Sequence, residues 1–264
     1  MNVLMEIVAD TRVAVARRAE RVSLSALIEA GEQRRAGEEQ TRDFRAALAA
    51  PGMSLIAEHK RSSPSAGVIR SGVELAEVVS AYERAGARAL SVLTEESRFG
   101  GALADLAAAR AASSLPILRK DFIVEEYQVH EALAGGADAI LLIVAALDTG
   151  TLIRLHSLAT QLGLATLVEV HDAIELDAAH EIGADIVGIN NRDLTTLQVD
   201  VERTYELLGD VRDGALVVAE SGFREHPQLA RLQDAGVDAV LVGEALMRAP
   251  DIEAATRQLL GSTP

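Results

Sequence analysis

A phrase of hydrophobic and polar positions recurs along the chain: a helix-like stretch, a glycine, a small residue, a polar residue, then a short apolar run. It appears as Gly86-Ala87-Arg88-Ala89-Leu90, Gly136-Ala137-Asp138-Ala139-Ile140, Gly183-Ala184-Asp185-Ile186-Val187 and Gly236-Val237-Asp238-Ala239-Val240. Each glycine falls where a helix C-cap needs a left-handed residue. Each apolar run is short and reads as a strand buried on both faces. Taking every such run predicts eight strands, centred on Ile56, Leu90, Ile117, Leu141, Leu167, Val187, Val217 and Val240. The intervening segments are amphipathic: Leu75, Val78, Val79 and Tyr82 show the i, i+3, i+4, i+7 spacing of one helix face. Strict alternation of eight strands with helices predicts an α/β fold, a (β/α)8 TIM barrel, rather than an open doubly wound sheet. No glycine-rich dinucleotide fingerprint follows the first strand, which argues against the latter.

About 50 residues precede the first strand, with helical periodicity at Leu24, Leu27 and Ile28 and a four-residue step from Phe44 to Leu48 just before Pro51-Gly52. They are expected to be helices packed on the barrel, so that residues 1–264 form a single domain with an N-terminal helical extension over residues 1–50. At 264 residues, 49% apolar and 25% charged, the chain can bury a sizeable core. No apolar run approaches a membrane span, no secretory signal is read at the N-terminus, and cysteine is absent. Disulfides, thiolate chemistry and Cys-ligated metals are thereby excluded, and a cytoplasmic location is expected. The net charge of −15 argues against nucleic acid or an anionic membrane as partner. Any anion site must then be built locally, from a few cations and backbone N–H groups.

In such a barrel the chemistry belongs at the C-terminal ends of the strands. The first predicted strand ends Glu58-His59-Lys60. Alternation puts Glu58 and Lys60 on one face and His59 on the other, toward the helices. Other strands end at Lys120-Asp121, Glu169, Asn190-Asn191-Arg192, Glu220-Ser221-Gly222 and Gly243-Glu244. Polar residues commonly follow strands as they enter loops, but Glu58 and Glu169 interrupt apolar strands before any turn signal. The lysines sharpen the pattern. Of 25 basic residues only Lys60 and Lys120 are lysine, and both lie at strand ends. Arginine supplies charge but does not give up a proton near neutrality, whereas lysine can.

Ser221-Gly222 and Gly243-Glu244 follow the seventh and eighth strands, where barrels often bind phosphate. A Gly243→Val change is expected to weaken phosphate binding while leaving the fold intact. Ser62-Ser63-Pro64-Ser65 with Gly67 makes a further loop after the first strand. Phe99, Phe122 and Phe223 fall just beyond strand ends, where aromatic rings either pack in the core or stack on a planar substrate. The six histidines show no metal-binding spacing, so no metal is expected. His171, just past the fifth strand, is read as a surface residue.

The stretch Ile56-Ala57-Glu58-His59-Lys60-Arg61-Ser62-Ser63-Pro64-Ser65 resembles the signature of the indole-3-glycerol phosphate synthase family. The similarity continues through Val92-Leu93-Thr94-Glu95, Leu118-Arg119-Lys120-Asp121-Phe122-Ile123, Leu167-Val168-Glu169-Val170, Gly188-Ile189-Asn190-Asn191-Arg192-Asp193-Leu194, Glu220-Ser221-Gly222 and Val242-Gly243-Glu244. It runs in order from about Phe44 to Met247; His59 departs from it, where the family usually has an apolar residue. The resemblance implies a phosphosugar substrate, 1-(2-carboxyphenylamino)-1-deoxyribulose 5-phosphate, and as products indole-3-glycerol phosphate, carbon dioxide and water. It implies Lys120 as general acid in ring closure, with a pKa that burial and Lys60 could lower. Glu169 is expected to serve as general acid/base, Glu58 to orient Lys60, Asn190 to hold a substrate hydroxyl and Ser221 to lie near the sugar or its phosphate. Ser63, Phe99, Phe122, Arg192, Leu194, Gly222, Gly243 and Glu244 complete the expected substrate contacts. No cofactor is implied, and a monomer is the default expectation.

Three other readings compete. Phosphoribosylanthranilate isomerase, another phosphosugar barrel, relies on a cysteine after the first strand, and this chain has none. A non-catalytic sugar-phosphate-binding barrel would keep the glycine loops, but has no need of Lys60, Lys120 and Glu169; a purely structural barrel would need neither.

Overall fold

The computed structural model describes residues 3–37, 41–64, 66–194 and 196–262. Ser65, in the loop singled out after the first strand, lies outside them. Among the described residues, eight strands close a barrel: β1 (Ser54–His59), β2 (Ala89–Leu93), β3 (Ile117–Lys120), β4 (Ala139–Ile143), β5 (Ala165–Val170), β6 (Ile186–Asn190), β7 (Leu216–Glu220) and β8 (Ala239–Val242). Every strand pairs in parallel with its neighbour in sequence, and β1 pairs with β8 to close the ring. All eight predicted strand centres fall inside these strands.

Glycine and aspartate in the recurring phrase do separate work. Gly86, Gly136, Gly183 and Gly236 all have positive φ, between 73° and 102°, as the ends of their helices require. Asp138 accepts a hydrogen bond from the backbone N–H of Ile117 at 2.8 Å, and Asp238 does the same for Val217 at 2.8 Å. In both places the carboxylate fastens the start of the preceding strand at the barrel floor.

Alternation along the strands divides the core. Ile56, Leu118, Leu141, Leu167 and Val218 fill the barrel interior. Leu55, Leu90, Ile140, Val168, Val187 and Val240 face the surrounding helices, which include α4 (Leu75–Arg84), α6 (Glu126–Gly135) and α8 (Ala173–Glu181) in the numbering that counts three helices before β1. His59 is buried, and its strand parity puts it with the helix-facing set, as expected.

The N-terminal helices α1 (Val3–Ala19), α2 (Leu24–Ala36) and α3 (Phe44–Leu48) run from one end of the barrel to the other. Leu4, Ile7 and Val8 of α1 pack in the interior cluster that includes Phe122, Val124 and Ile143, at the mouth. Phe44 and Leu48 of α3 belong to the same cluster but meet the floor, where Ser54 at the start of β1 donates to the Leu48 carbonyl at 2.7 Å. Between them, Arg18 of α1 pairs with Glu131 of α6 at 2.7 Å, and Glu131 also takes Arg119 of β3 at 2.9 Å.

Candidate active site

The mouth of the barrel holds a cavity of about 420 Å³, within the size range of small-molecule sites. Its lining includes Glu58, Lys60, Phe99, Lys120, Phe122, Glu169, Asn190, Arg192, Leu194, Ser221, Gly222, Gly243 and Glu244. These residues come from seven strand ends and the loops beyond them, so the alternation of βα units gathers into one place what the sequence spreads over nearly 190 positions. Ser63 lines a smaller adjoining cavity of about 90 Å³, shared with Lys60, Phe99, Phe122, Arg192 and Leu194, and walled by Val3, Leu4 and Ile7 of α1.

Two ion-pair groups occupy the polar side of the cavity. Lys60 Nζ lies 2.8 Å from Glu58 Oε1, and Ser91 donates to Glu58 Oε2 at 3.2 Å. Burial alone would raise the Glu58 pKa, but Lys60, Lys120 and Ser91 outweigh it and hold the carboxyl below its ordinary value. Lys120 Nζ sits between two carboxylates, donating to Glu169 Oε2 and to Glu220 Oε2 at 3.0 Å each. This corrects the expectation of a lowered Lys120 pKa. Burial does act in that direction, but Glu169, Glu220 and Glu58 prevail and raise it, and Lys60 is taken up by Glu58.

Glu169 and Glu220 share one ammonium and respond differently. Lys120, His171 and Asn190 pull the Glu169 pKa down against its burial. Glu220 is raised, by burial first and by the neighbouring Glu169 and Glu58 charges, which Lys120 does not fully offset. Its Oε1 atom is buried and has no hydrogen-bond partner among the described residues. Gly188 of β6 makes the room: a Cβ there would collide with that oxygen.

Asn190 is fixed from both ends. Its amide nitrogen donates to Glu169 Oε1 at 2.9 Å, and its oxygen accepts from Ser221 Oγ at 2.9 Å and from the Arg192 backbone at 3.0 Å. Ser221 and Gly222 both have positive φ, 65° and 97°, the serine at a cost of roughly 1–3 kcal/mol by general experience of strained residues. The Glu244 side chain accepts a hydrogen bond from Arg248 Nε at 3.1 Å.

Phe99 and Phe122 stand 6.4 Å apart, tilted by 41°, at the junction of the two cavities. Phe223 does both: it joins the core between strands and helices and also lines the main cavity. Gly243 has a different constraint from the one foreseen. A Cβ at this position would meet Glu58 Oε1 at 2.5 Å and Glu58 Cβ at 2.9 Å. Gly243→Val would therefore displace Glu58, so it does not isolate the phosphate contact.

A family model described as indole-3-glycerol phosphate synthase matches residues 4–259. The chain belongs to the indole-3-glycerol phosphate synthase family. An indole-3-glycerol phosphate synthase of Nocardioides sp. is 48% identical over 261 residues, covering 99% of each chain. The indole-3-glycerol phosphate synthase 2 of Streptomyces coelicolor is 51% identical over 220 residues, 83% of this chain and 85% of its own. A solved 3-hexulose-6-phosphate synthase from Salmonella typhimurium superposes with a TM-score of 0.64 over 79% of this chain and 97% of its own, at 16% identity, a likeness of fold alone. Like the indole-3-glycerol phosphate synthases it matches, the chain is a carboxy-lyase of tryptophan biosynthesis acting on a phosphosugar. No helix among the described residues is long and apolar enough to cross a membrane, and no group of three or more His, Asp or Glu side chains there could hold a metal ion.

Two residues beside the reacting groups were given no role in the sequence reading, for different reasons. Glu220 had a usable signal, because it interrupts the apolar strand β7 just as Glu58 and Glu169 interrupt theirs. His171 was placed at the surface and is not there: its side chain is 11% exposed, against Glu169 and Glu175. A single polar residue past a strand end carries no sign of which way the chain will fold over it. Leu4 and Ile7 of α1 also reach the smaller cavity, and nothing in the local pattern distinguishes them from ordinary core residues.

Proposed function

We propose that this cavity performs ring closure, decarboxylation and dehydration with Lys120 as the proton donor and Glu169 as the general acid/base. The observation that carries the proposal is the placement of Lys120 Nζ 3.0 Å from both Glu169 and Glu220, in a cavity also lined by Phe99, Phe122, Gly222 and Gly243. In the first step the aniline ring carbon attacks the sugar ketone. The carbonyl π electrons move to oxygen, and the alkoxide takes a proton from the Lys120 ammonium. An ammonium kept charged by two carboxylates is present in the donor form at neutrality, and the alkoxide is basic enough to take its proton.

Loss of carbon dioxide then returns the bond electrons to the ring and restores aromaticity. In dehydration the hydroxyl leaves as water with a proton from an acid, while a base removes a proton from the adjacent methylene carbon, the former sugar C1, so that the new carbon–carbon double bond completes the indole and the nitrogen keeps its hydrogen. Glu169 is the base in this scheme, ionised at the start, with Asn190 fixing its second oxygen. The Lys60–Glu58 pair and Arg192 receive the substrate carboxylate, Lys60 being held in place by Glu58. Phe99, Phe122 and Leu194 flank the aromatic ring, with Ser63 beside it in the adjoining cavity. Backbone N–H groups around Ser221, Gly222, Gly243 and Glu244 bind the phosphate. Glu220, which lines the cavity and holds Lys120 through its Oε2, helps to keep the donor ammonium in place.

The charged, phosphorylated substrate does not cross membranes unaided, which supports a cytoplasmic location. The test is direct. The protein is incubated with the anilino-deoxyribulose phosphate while indole fluorescence is followed; the chain has no tryptophan to add background. Fluorescence should rise with the parent substrate and fail to rise with its dephosphorylated form. Equal turnover of both would overturn the phosphate assignment.

A further inference from the structure

His171 follows β5 directly, two residues beyond Glu169, and it is not among the residues lining the cavity. Its ring nonetheless lies between two carboxylates, one near each nitrogen. Nδ1 lies 2.9 Å from Glu175 Oε2 on α8, an oxygen that also accepts the His171 backbone N–H at 2.8 Å. A carboxylate only accepts, so Nδ1 carries a hydrogen. Nε2 then faces Glu169 Oε1 at 3.4 Å, is buried, and has no hydrogen bond. In a neutral ring this would set a nitrogen lone pair against a carboxylate oxygen. With a proton on Nε2 the same contact becomes attractive.

We propose that His171 is a positioning residue for Glu169: its imidazolium, clamped between Glu169 and Glu175, keeps the Glu169 carboxylate ionised and aimed into the cavity. The inference rests on Glu169 being the base of the reaction. Its mechanistic sense lies in the neighbours of Glu169, which are Lys120 from β3, the Asn190 amide from β6, Glu220 from β7 and the uncharged Ile143 of β4. When Lys120 hands its proton to substrate it loses its charge. Among the described residues His171 is then the cation left beside Glu169, and it prevents Glu169 from neutralising before it is needed. Consistent with this, the two flanking carboxylates outweigh burial and lift the His171 pKa to about 10.

The test compares kcat–pH profiles of the wild type, His171→Gln, His171→Lys, Glu175→Gln and Glu169→Gln. Removing the imidazolium should move the acidic limb of kcat upward by about one unit, so that kcat on that limb falls about tenfold while KM changes little. His171→Lys, which keeps a cation there, should restore the limb toward wild type. Glu175→Gln, which removes one counter-charge, should move it in the same direction by less. Glu169→Gln should be nearly inactive. If it is, but the limb of His171→Gln stays at the wild-type pH, the positioning role is wrong and the base assignment stands. If Glu169→Gln turns over normally, both are wrong. Should His171→Gln not fold, nitrogen NMR of ¹⁵N-histidine-labelled wild type decides the matter, with the His171 signal identified by its displacement in Glu175→Gln. An imidazolium persisting well above neutrality supports the proposal, and a neutral ring at neutrality overturns it.

Discussion

The barrel buries charge at both ends, and the two ends treat it differently. At the floor, Asp138 is fully buried and saturated. Its Oδ1 takes Arg34, Arg110 and the Arg42 backbone N–H at 2.9 Å each, and its Oδ2 takes the Ile117 N–H at 2.8 Å. The arginines also donate to carbonyls: Arg34 to Leu133 and Ala137, Arg42 to Ser113 and Leu115, all at 2.7 Å. At the mouth one ammonium serves two carboxylates, Glu220 keeps an unpartnered oxygen, and Ser221 holds a left-handed backbone. A saturated cluster has nothing left to offer a substrate, so it stabilises the fold. The unsaturated cluster is costly to fold around and is held ready for a ligand.

The comparison breaks most visibly at the floor. Asp138→Ala strands two buried arginines and two backbone N–H groups. It should cost about 3–5 kcal/mol of unfolding free energy, measured by urea denaturation, while kcat per folded molecule stays near wild type. A large fall in kcat without loss of stability would erase the distinction between the two ends.

Glu220→Gln should do the opposite. The raised Glu220 pKa means that the native state holds its proton more tightly than the unfolded chain does. Wild type therefore loses stability as pH rises from the ordinary carboxyl value of 4.5 through the raised one. The glutamine variant lacks that loss. It should gain about 0.5–2 kcal/mol at alkaline pH and little in acid, and should lose activity throughout. Thermal melts across pH read the sign. A variant destabilised at high pH would contradict the reading of the mouth as strained. The smallest effect is expected from chelation. The scheme uses only side-chain acids and bases, so exhaustive EDTA treatment should leave turnover unchanged, and metal-dependent restoration of a lost activity would overturn that.

The sequence made the strand ends legible because alternation is a local rule: Glu58 and Lys60 on one face, His59 on the other, follows from a period of two. The phrase that repeats glycine and aspartate is also local, and it marked helix ends and strand starts correctly. What it did not reveal depends on contacts between distant segments. Lys120 was expected to feel Lys60; instead Glu58 neutralises Lys60, and Lys120 is surrounded by carboxylates from β5 and β7. His171 was read as exposed because Glu175, one helical turn into α8, and Glu169 enclose it only once the βα loop has formed. Gly243 was read as space for phosphate, while its nearest neighbour is Glu58, nearly 190 residues away in the chain.

The central claim is that the mouth cluster transfers a proton through Lys120 and does not merely attract an anion. Lys120→Arg separates the two roles, since arginine keeps the charge and much of the reach but does not release a proton near neutrality. The decisive quantity is kcat of this variant at saturating substrate, with its unfolding transition measured alongside. The account predicts a folded protein whose kcat falls by ~10²–10⁴-fold, close to that of Lys120→Ala, with KM changed far less. A kcat within a few-fold of wild type would contradict it and leave Lys60 as the better donor.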